Sequence, residues 1–335
     1  MVELQRIMVL GSNSFTGGHL IRHVLDCSDC SILGISRSAE YHPVMSAYQA
    51  HPECGKRVSF HQKSLNDDLG EILELCDKFK PDAVFNFAAQ GEVRNSWNWP
   101  EQWYQTNCMG VVRLTTELAK REYIQKYVVA STPEVYGSTG EAISENNSFA
   151  PSTPYAASKL SGDLHLGVLH KRYGFPVVFT RAANVYGSHQ QLYRIIPRTV
   201  IYAKMGRKVS LHGGGVARRA FIHGHDVAAA TWQAALKGRS GEVYHLSSDN
   251  DLRTIRSVVE LILKQLGRSF EDHVELQDEN YGQDDCFSLD SSKAQRELDW
   301  NCQVQFEDGV EQVVKWISDH WDEISKMELD YVHQP

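Results

Sequence analysis

The sequence predicts an α/β chain: a doubly wound parallel sheet followed by a smaller C-terminal lobe. Three observations predict it. Apolar runs of four to six residues alternate with helical patterns as far as residue 183. Those runs are apolar throughout, as strands are when helices cover both faces of a sheet. After residue 184 the alternation loosens into glycine-rich and basic stretches. A repeated strand–helix order requires parallel strands joined by right-handed crossovers. At 335 residues the chain is near the upper limit that one core fills, which suits a large domain with an appended lobe.

In order, strands are expected at 7–10, 32–35, 83–87, 127–130 and 177–180, with helices near 16–26, 67–79, 100–121 and 154–173. A further strand is expected at 243–246, and helices at 255–266 and 309–324. The implied division gives residues 1–183, with a returning segment at about 221–248, to the sheet domain, and 184–220 with 249–330 to the lobe. Ligands of such sheets bind beyond the carboxyl ends of the strands.

Composition narrows the function. Hydrophobic residues make up 42% and charged residues 23%, an ordinary globular balance, and the net charge of −8 opposes a nucleic-acid-coating or membrane-surface role. The average hides a segment of opposite sign. Residues 164–225 hold ten Lys or Arg and no Asp or Glu, leaving 24 basic against 42 acidic residues, or −18, in the other 273. Such a field suits a compact polyanion such as a diphosphate, and a solvated basic face would give the same run. Seven scattered cysteines argue for a reducing cytoplasm over a disulfide scaffold. The Cys27–Cys30 pair lacks the partners of a zinc site, so no metal is expected. No stretch reaches 18 apolar residues, and neither an export signal nor a membrane span is expected.

The chemistry begins where the first strand ends. Residues 10–20 read L-G-S-N-S-F-T-G-G-H-L, so that Gly11, Asn13, Ser14, Phe15, Thr16 and Gly17 lie between a strand and a helix start. Backbone N–H groups there can hold a pyrophosphate. The dinucleotide fingerprint is incomplete, with Ser14 at its middle glycine position, and a tight turn without ligand would use the same two glycines. The second strand ends Ser36-Arg37, where folds that bind NAD carry an acid for the ribose diol. A hydroxyl followed by a guanidinium suits a 2′-phosphate, favouring NADP with NAD as the alternative; Arg37 could equally face solvent or stack on adenine. Tyr155 and Lys159 are four apart in a helical pattern and project together, so the ammonium can stabilise a phenolate that accepts a proton from an alcohol. On the 100–121 helix, Trp103, Val111, Leu114 and Leu118 form an apolar stripe that includes Asn107, an amide that must find partners if buried.

Together these residues resemble the extended short-chain dehydrogenases/reductases of the nucleotide-sugar epimerase and dehydratase family, over nearly the whole chain. The resemblance rests on the glycine loop, on Asn86-Phe87-Ala88-Ala89-Gln90, Ser131-Thr132 and Tyr155-x-x-x-Lys159, and on Arg181-x-x-Asn184-Val185-Tyr186-Gly187 with Arg219 and Phe221. The runs A-A-Q-G-E-V-R-N-S (88–96) and T-x-E (132–134) are most similar to NDP-hexose 4,6-dehydratases acting on GDP-mannose and CDP-glucose.

It implies a Rossmann-type fold and a redox-neutral cycle. In that cycle C4 is transiently oxidised by bound NAD(P)+, the acidified C5 proton is abstracted, water leaves from C6 and the hydride returns to C6. Tyr155 would take the C4 hydroxyl proton. Lys159 would lower the tyrosine's pKa and hold the nicotinamide ribose, Thr132 would bind the C4 oxygen, and Glu134 would be the base at C5. Ser64, Leu65, Phe87, Ala88, Ala89, Gln90 and Ala130 would line the cofactor site, and Asn107 would brace the lysine region. Glu92, Arg94, Thr132, Asn184, Arg194, Arg218 and Arg219 would hold the nucleotide sugar. A homodimer through helices 100–121 and 154–173 is implied as well.

Two departures stand out. Pro133 occupies the position where dTDP-glucose-type enzymes have an Asp that protonates the leaving hydroxyl, and Gln283-Asp284-Asp285-Cys286 stands where relatives often have basic residues. With the first, either Glu134 serves both steps or the reaction stops short of dehydration, which keeps 4-epimerisation open; uronate decarboxylation is open as well, because enzymes of that kind have a similar Thr-x-Glu motif.

Overall fold

The structure is a computed structural model that describes residues 4–139, 142–146, 148–248, 252–277 and 286–334. Six strands, β1 (Arg6–Leu10), β2 (Ser31–Ser36), β3 (Val58–Gln62), β4 (Ala83–Asn86), β5 (Lys126–Ala130) and β6 (Val177–Ala182), form most of a parallel sheet. Beyond them come β7 (Asn184–Tyr186), β8 (Val209–His212), β9 (Arg218–His223), β10 (Val243–Leu246), β11 (Leu252–Thr254), β12 (Val274–Gln277) and β13 (Cys286–Phe287). The seven-stranded sheet runs β10-β6-β5-β4-β1-β2-β3, so the order of winding reverses between the parallel strands β1 and β4 and opens a crevice at their carboxyl ends.

Alternation along β1 explains why both faces are covered. Ile7 and Val9 enter one core with Ile21, Val24, Phe85 and Trp232, while Met8 and Leu10 enter another with Ile72, Val84, Leu114 and Leu166. Helices Phe15–Cys27 and Gly224–Lys237 cover the first face. Helices Leu69–Phe79, Val111–Leu118 and Pro154–Tyr173 cover the second.

The expected strands are all present, and the structure adds the edge strand β3. Its five residues are half-buried or exposed, so they carry no apolar run to read. More was missed after residue 184. Helices Ile195–Met205 and Gly224–Lys237 and the strands β7, β8, β9, β11, β12 and β13 lie there, most of the strands too short to show a period. In the lobe β9 pairs with β7, β11 and β13, and a third core joins Tyr186, Ile196, Val200, Phe221, Val258, Phe306, Val310 and Trp316. The expected helix 309–324 is two helices, Phe306–Asp319 and Trp321–Ile324, which meet at His320.

Candidate active site

A cavity of about 1000 Å³ opens at the carboxyl ends of the sheet strands and extends over the lobe. Gly11 turns the chain out of β1 at φ +78°, and a Cβ there would lie 2.7 Å from the Ala88 backbone N. A Cβ on Gly17 would lie 2.3 Å from the Gly11 carbonyl oxygen, so both positions require glycine. Ser14, at the middle glycine position, has a reason of its own: it caps helix Phe15–Cys27, its Oγ accepting from the Gly17 N–H at 3.0 Å. Asn13 ties this loop to the end of β2, its N–H donating to Ser36 Oγ (2.9 Å) and its side chain to the Ala39 carbonyl (2.7 Å). The loop therefore meets the needs of a dinucleotide: a close backbone approach and a capped helix start at the crevice. Arg37 is exposed and lines the cavity, with Ser64 and Leu65 beyond it.

Thr132, Glu134, Tyr155 and Lys159 come together on the cavity wall. Thr132 is the N-cap of the tight turn Pro133–Tyr136 and accepts from the Glu134 N–H at 3.2 Å. Pro133, with its fixed φ, is favoured at the first position of such a turn, so the residue that removes an acid also orients the next one. Tyr155 and Lys159 share one face of helix Pro154–Tyr173, and Lys159 Nζ donates to the Ala130 carbonyl at 2.7 Å. Burial pushes the Tyr155 phenol well up and the nearby Glu134 charge adds to this, while Thr132 and Arg194 pull it down. Burial pulls the Lys159 ammonium down, and Asp163 opposes that. Behind them, Asp163 accepts from Ser131 Oγ and, at 3.1 Å, from Arg181 Nη2, in a buried ion pair.

Asn107 braces this helix, although it lies outside the cavity lining. It sits in a π-turn, Gln105–Gly110, inside an otherwise continuous helix from 100 to 118. The Gln90 N–H donates to Asn107 Oδ1 (2.9 Å), and Asn107 Nδ2 reaches both the Gln90 carbonyl (3.0 Å) and Ser158 Oγ (3.0 Å). Gly162 lets the helices touch, since a Cβ there would meet the Asn107 carbonyl at 2.5 Å.

Of the other expected residues, Phe87, Ala88, Ala89, Gln90, Glu92, Arg94, Ala130, Asn184, Arg194 and Arg219 line the cavity. Gly17 supports the loop from behind, and Arg218 is exposed outside the lining. The basic segment is thus divided. Arg181 is buried on Asp163, Arg198 pairs with Asp330 and Lys204 lies over Trp321; Lys171, Arg172, Arg207, Lys208 and Arg218 are exposed away from the cavity lining, and Arg194 and Arg219 line it. Gln283, Asp284 and Asp285 lie outside the described residues. The lining also includes residues that sequence reasoning missed, among them Lys63, Trp97, Tyr193, His212, Tyr331 and Gln334. They carry no motif. Only the aromatic residues that follow the last helix could have drawn attention to 331–334. Among the described residues there is no cluster suited to a metal ion, and no helix is long and apolar enough to cross a membrane.

The profile of the GDP-mannose 4,6 dehydratase family matches residues 8–313. The chain belongs to that family. Among relatives of this GDP-mannose 4,6 dehydratase family member, the dTDP-glucose 4,6-dehydratase of Haemophilus influenzae is 30% identical over 93% of this chain and 98% of its own. The Streptomyces niveus enzyme of the same name is 36% identical over 71% of this chain and 70% of its own. The fold is similar to that of the Streptomyces venezuelae dTDP-glucose 4,6-dehydratase solved with NAD (TM-score 0.86, 29% identity, 96% and 100% of the two chains). It is also similar to a UDP-glucuronic acid 4-epimerase from Bacillus cereus solved with UDP-glucuronic acid and NAD (TM-score 0.84, 26% identity, 94% and 99%). Family and relatives agree on a nucleotide-sugar 4,6-dehydratase, and epimerisation is the less favoured activity.

Proposed function

We propose that the cavity binds an NDP-hexose beside a nicotinamide dinucleotide and converts it to the NDP-4-keto-6-deoxyhexose, with Thr132, Glu134, Tyr155 and Lys159 as the catalytic residues. The observation that carries these roles is the carboxylate of Glu134 on the same wall as Tyr155, near enough for its charge to act on the phenol. Epimerisation at C4 has no use for a carboxylate there, whereas elimination across C5 and C6 needs one.

A nicotinamide dinucleotide held by the loop from Gly11, by Arg37 and by Lys159 would supply hydride acceptance at C4 and its return at C6. The remaining work falls to side chains. Thr132 and Tyr155 hold the C4 oxygen, and Tyr155 takes its proton. The Thr132 hydrogen bond and the Arg194 charge oppose the burial and the Glu134 charge that raise the phenol, and the role assigned to Lys159 is to stabilise the phenolate and hold the nicotinamide ribose. Glu134 removes the C5 proton. With Pro133 next to it, Glu134 also hands that proton to the departing C6 hydroxyl, which leaves as water. The proton that Tyr155 took is balanced by the one restored at C5.

The relatives solved with NAD support a nicotinamide dinucleotide here, and Arg37 at the end of β2 favours the 2′-phosphate of NADP. Side-by-side titration with NAD+ and NADP+ tests that preference. Residues 1–183 with 221–248 would carry the cofactor, and 184–220 with 249–330, through Asn184, Arg194 and Arg219, the nucleotide. Exposed Tyr104, Met109, Leu164 and Val168 on the helices over 100–118 and 154–173 support a homodimer through that face. The free thiols at Cys27, Cys30, Cys54, Cys76, Cys108 and Cys302 suit a cytoplasmic setting.

The test is incubation with GDP-mannose and with dTDP-, CDP- and UDP-glucose, followed by mass spectrometry. One of them is expected to lose water. A change confined to C4 configuration would overturn the dehydratase reading of this site. Glu134→Gln should abolish water loss while reduced nicotinamide still accumulates, and a variant that dehydrates normally removes Glu134 from its role.

A further inference from the structure

We propose that residues 328–334 form the sugar-side wall of the substrate site and that Tyr331 is a specificity-determining residue contacting the hexosyl diphosphate. The proposal rests on the NDP-hexose reading above and adds a segment that no motif assigns.

The path of the chain is the first reason. Leu329 is buried in the lobe core with Ile324 and Met327, and from there the chain leaves the lobe and reaches the sheet domain. It is fastened at both ends. On the lobe side Asp330 pairs with Arg198, and the Tyr331 ring meets Tyr193 edge-on at 5.3 Å. On the sheet side the His333 imidazole lies within 5° of parallel to the Trp99 indole at 4.4 Å and within 7° of Trp103 at 5.5 Å. His333 Nε2 is 2.6 Å from Gln102 Oε1, and the Gln334 carbonyl accepts from Gln90 Nε2 at 2.8 Å. Along this fastened stretch, Tyr331, Val332 and Gln334 line the cavity.

The hydrogen bonds also fix the chemistry of the phenol. With Gln102 Oε1 as acceptor, His333 Nε2 carries the proton and Nδ1 is an acceptor. The Tyr331 hydroxyl, 3.2 Å from Nδ1, therefore donates to it, which leaves the phenol oxygen as an acceptor for a sugar hydroxyl. Glu92, Arg194 and Arg37 all lie near enough to act on this phenol, so it stands between the expected hexosyl, diphosphate and cofactor groups. The sheet-side fastening ends on Gln90, whose backbone is clasped by Asn107, itself bonded to Ser158 on the helix that carries Tyr155 and Lys159. A hexose held by the wall is thus referenced to the catalytic pair through three side chains.

The experiment compares the intact enzyme with a chain stopped after Asp330, which keeps Leu329 in the lobe core and the Arg198 pair, and with Tyr331→Phe and His333→Ala. Each is measured for KM and kcat with the NDP-hexose that the intact enzyme dehydrates. Each is also measured for binding of the matching nucleoside diphosphate without sugar, and for discrimination between hexose epimers. The stopped chain is expected to raise KM on the order of tenfold and to lose epimer discrimination, with nucleoside diphosphate affinity changed less than about twofold. His333→Ala should follow it, and Tyr331→Phe should retain the packing and lose part of the discrimination. Unchanged KM and discrimination in the stopped chain overturn the proposal. Equal weakening of sugar-free nucleotide overturns it as well, because the segment would then be supporting the lobe. An intact enzyme that binds NDP-hexoses without dehydrating them overturns the reaction proposed above, and binding of sugar against sugar-free nucleotide then decides the wall on its own.

Discussion

The two halves of the cavity are built by different means. On the proposed cofactor side, most contributing residues stand at the strand ends of one sheet, Gly11 after β1, Ser36 and Arg37 at the end of β2, Phe87 after β4 and Thr132 just past β5, with Tyr155 and Lys159 on the helix Pro154–Tyr173 that covers it. On the proposed sugar side the wall is assembled from stretches far apart in the chain, Trp97, Asn184, Tyr193, Arg219 and Tyr331 among them. A sheet fixes its strand ends together, so the first half needs only short motifs. The second half depends on how a lobe docks, and its residues are free to vary in sequence position. This is the expected division between a retained chemistry and a variable substrate.

The largest expected effect breaks the cofactor side where it carries the chemistry. Tyr155→Phe keeps the ring in its buried place and removes the group proposed to take the C4 proton. It should lower kcat by about 10²- to 10⁴-fold with little change in melting temperature. In the wild type, kcat/KM should rise with pH, because burial and Glu134 favour the protonated phenol and alkaline pH supplies the phenolate. A flat profile, or Tyr155→Phe at near-normal rate, would remove the tyrosine as base.

A smaller effect is expected where the two sides are joined. Asn107→Ala leaves the buried Gln90 N–H and carbonyl without the partners they now have, at a cost of about 1–3 kcal/mol. Because Gln90 also holds the segment at 334, the variant should raise KM for the sugar as well as lower stability. A loss of stability with KM unchanged would mean that the brace serves the fold alone.

What could be read in advance follows the same division. The strands of the sheet were legible because burial on both faces makes them apolar without interruption, and β3 was not because an edge strand has no such run. Asn107 was legible because an amide on an apolar helix stripe must be bonded, although its π-turn left no mark in the spacing. Tyr155 and Lys159 were legible as a face of a helix. Charge was a poorer guide: the ten basic residues of 164–225 suit one polyanion site or one solvated face, yet Arg181 and Arg198 are spent on internal pairs. Tyr331 and Gln334 could not be read at all, since nothing in a sequence says which cavity a segment without periodicity will cross.

The smallest expected effect compares the two regions through one buried histidine in each. His245 lies on β10 in the sheet, where its Nδ1 bonds the Ile143 carbonyl and its Nε2 the Tyr136 hydroxyl. A carbonyl can only accept, so Nδ1 carries the proton and Nε2 accepts, which fixes the neutral form. Burial and the charge of Arg181 hold its pKa at about 3. His223 ends β9 in the lobe and caps helix Gly224–Lys237 through Nδ1; burial, with His225 nearby, holds it at about 4. Both folded values lie below the unfolded value of about 6.5, so between them the unfolded chain binds more protons. Their contribution is complete above about pH 6.5 and falls as the pH drops, by about 1.4 kcal/mol per pH unit for each, well before ordinary carboxylates titrate. Denaturant unfolding at about pH 7.5, 6.5 and 5.5 should show this fall. His223→Asn keeps an acceptor at the helix cap and removes the lobe's share, so the slope below about pH 6.5 should decrease by about 1.4 kcal/mol per pH unit, while the shares of His245 and of His19, which burial also holds at about 3, remain. An unchanged slope would mean that His223 is hydrated in solution and that the lobe is less tightly packed around β9 than the sheet is around β10.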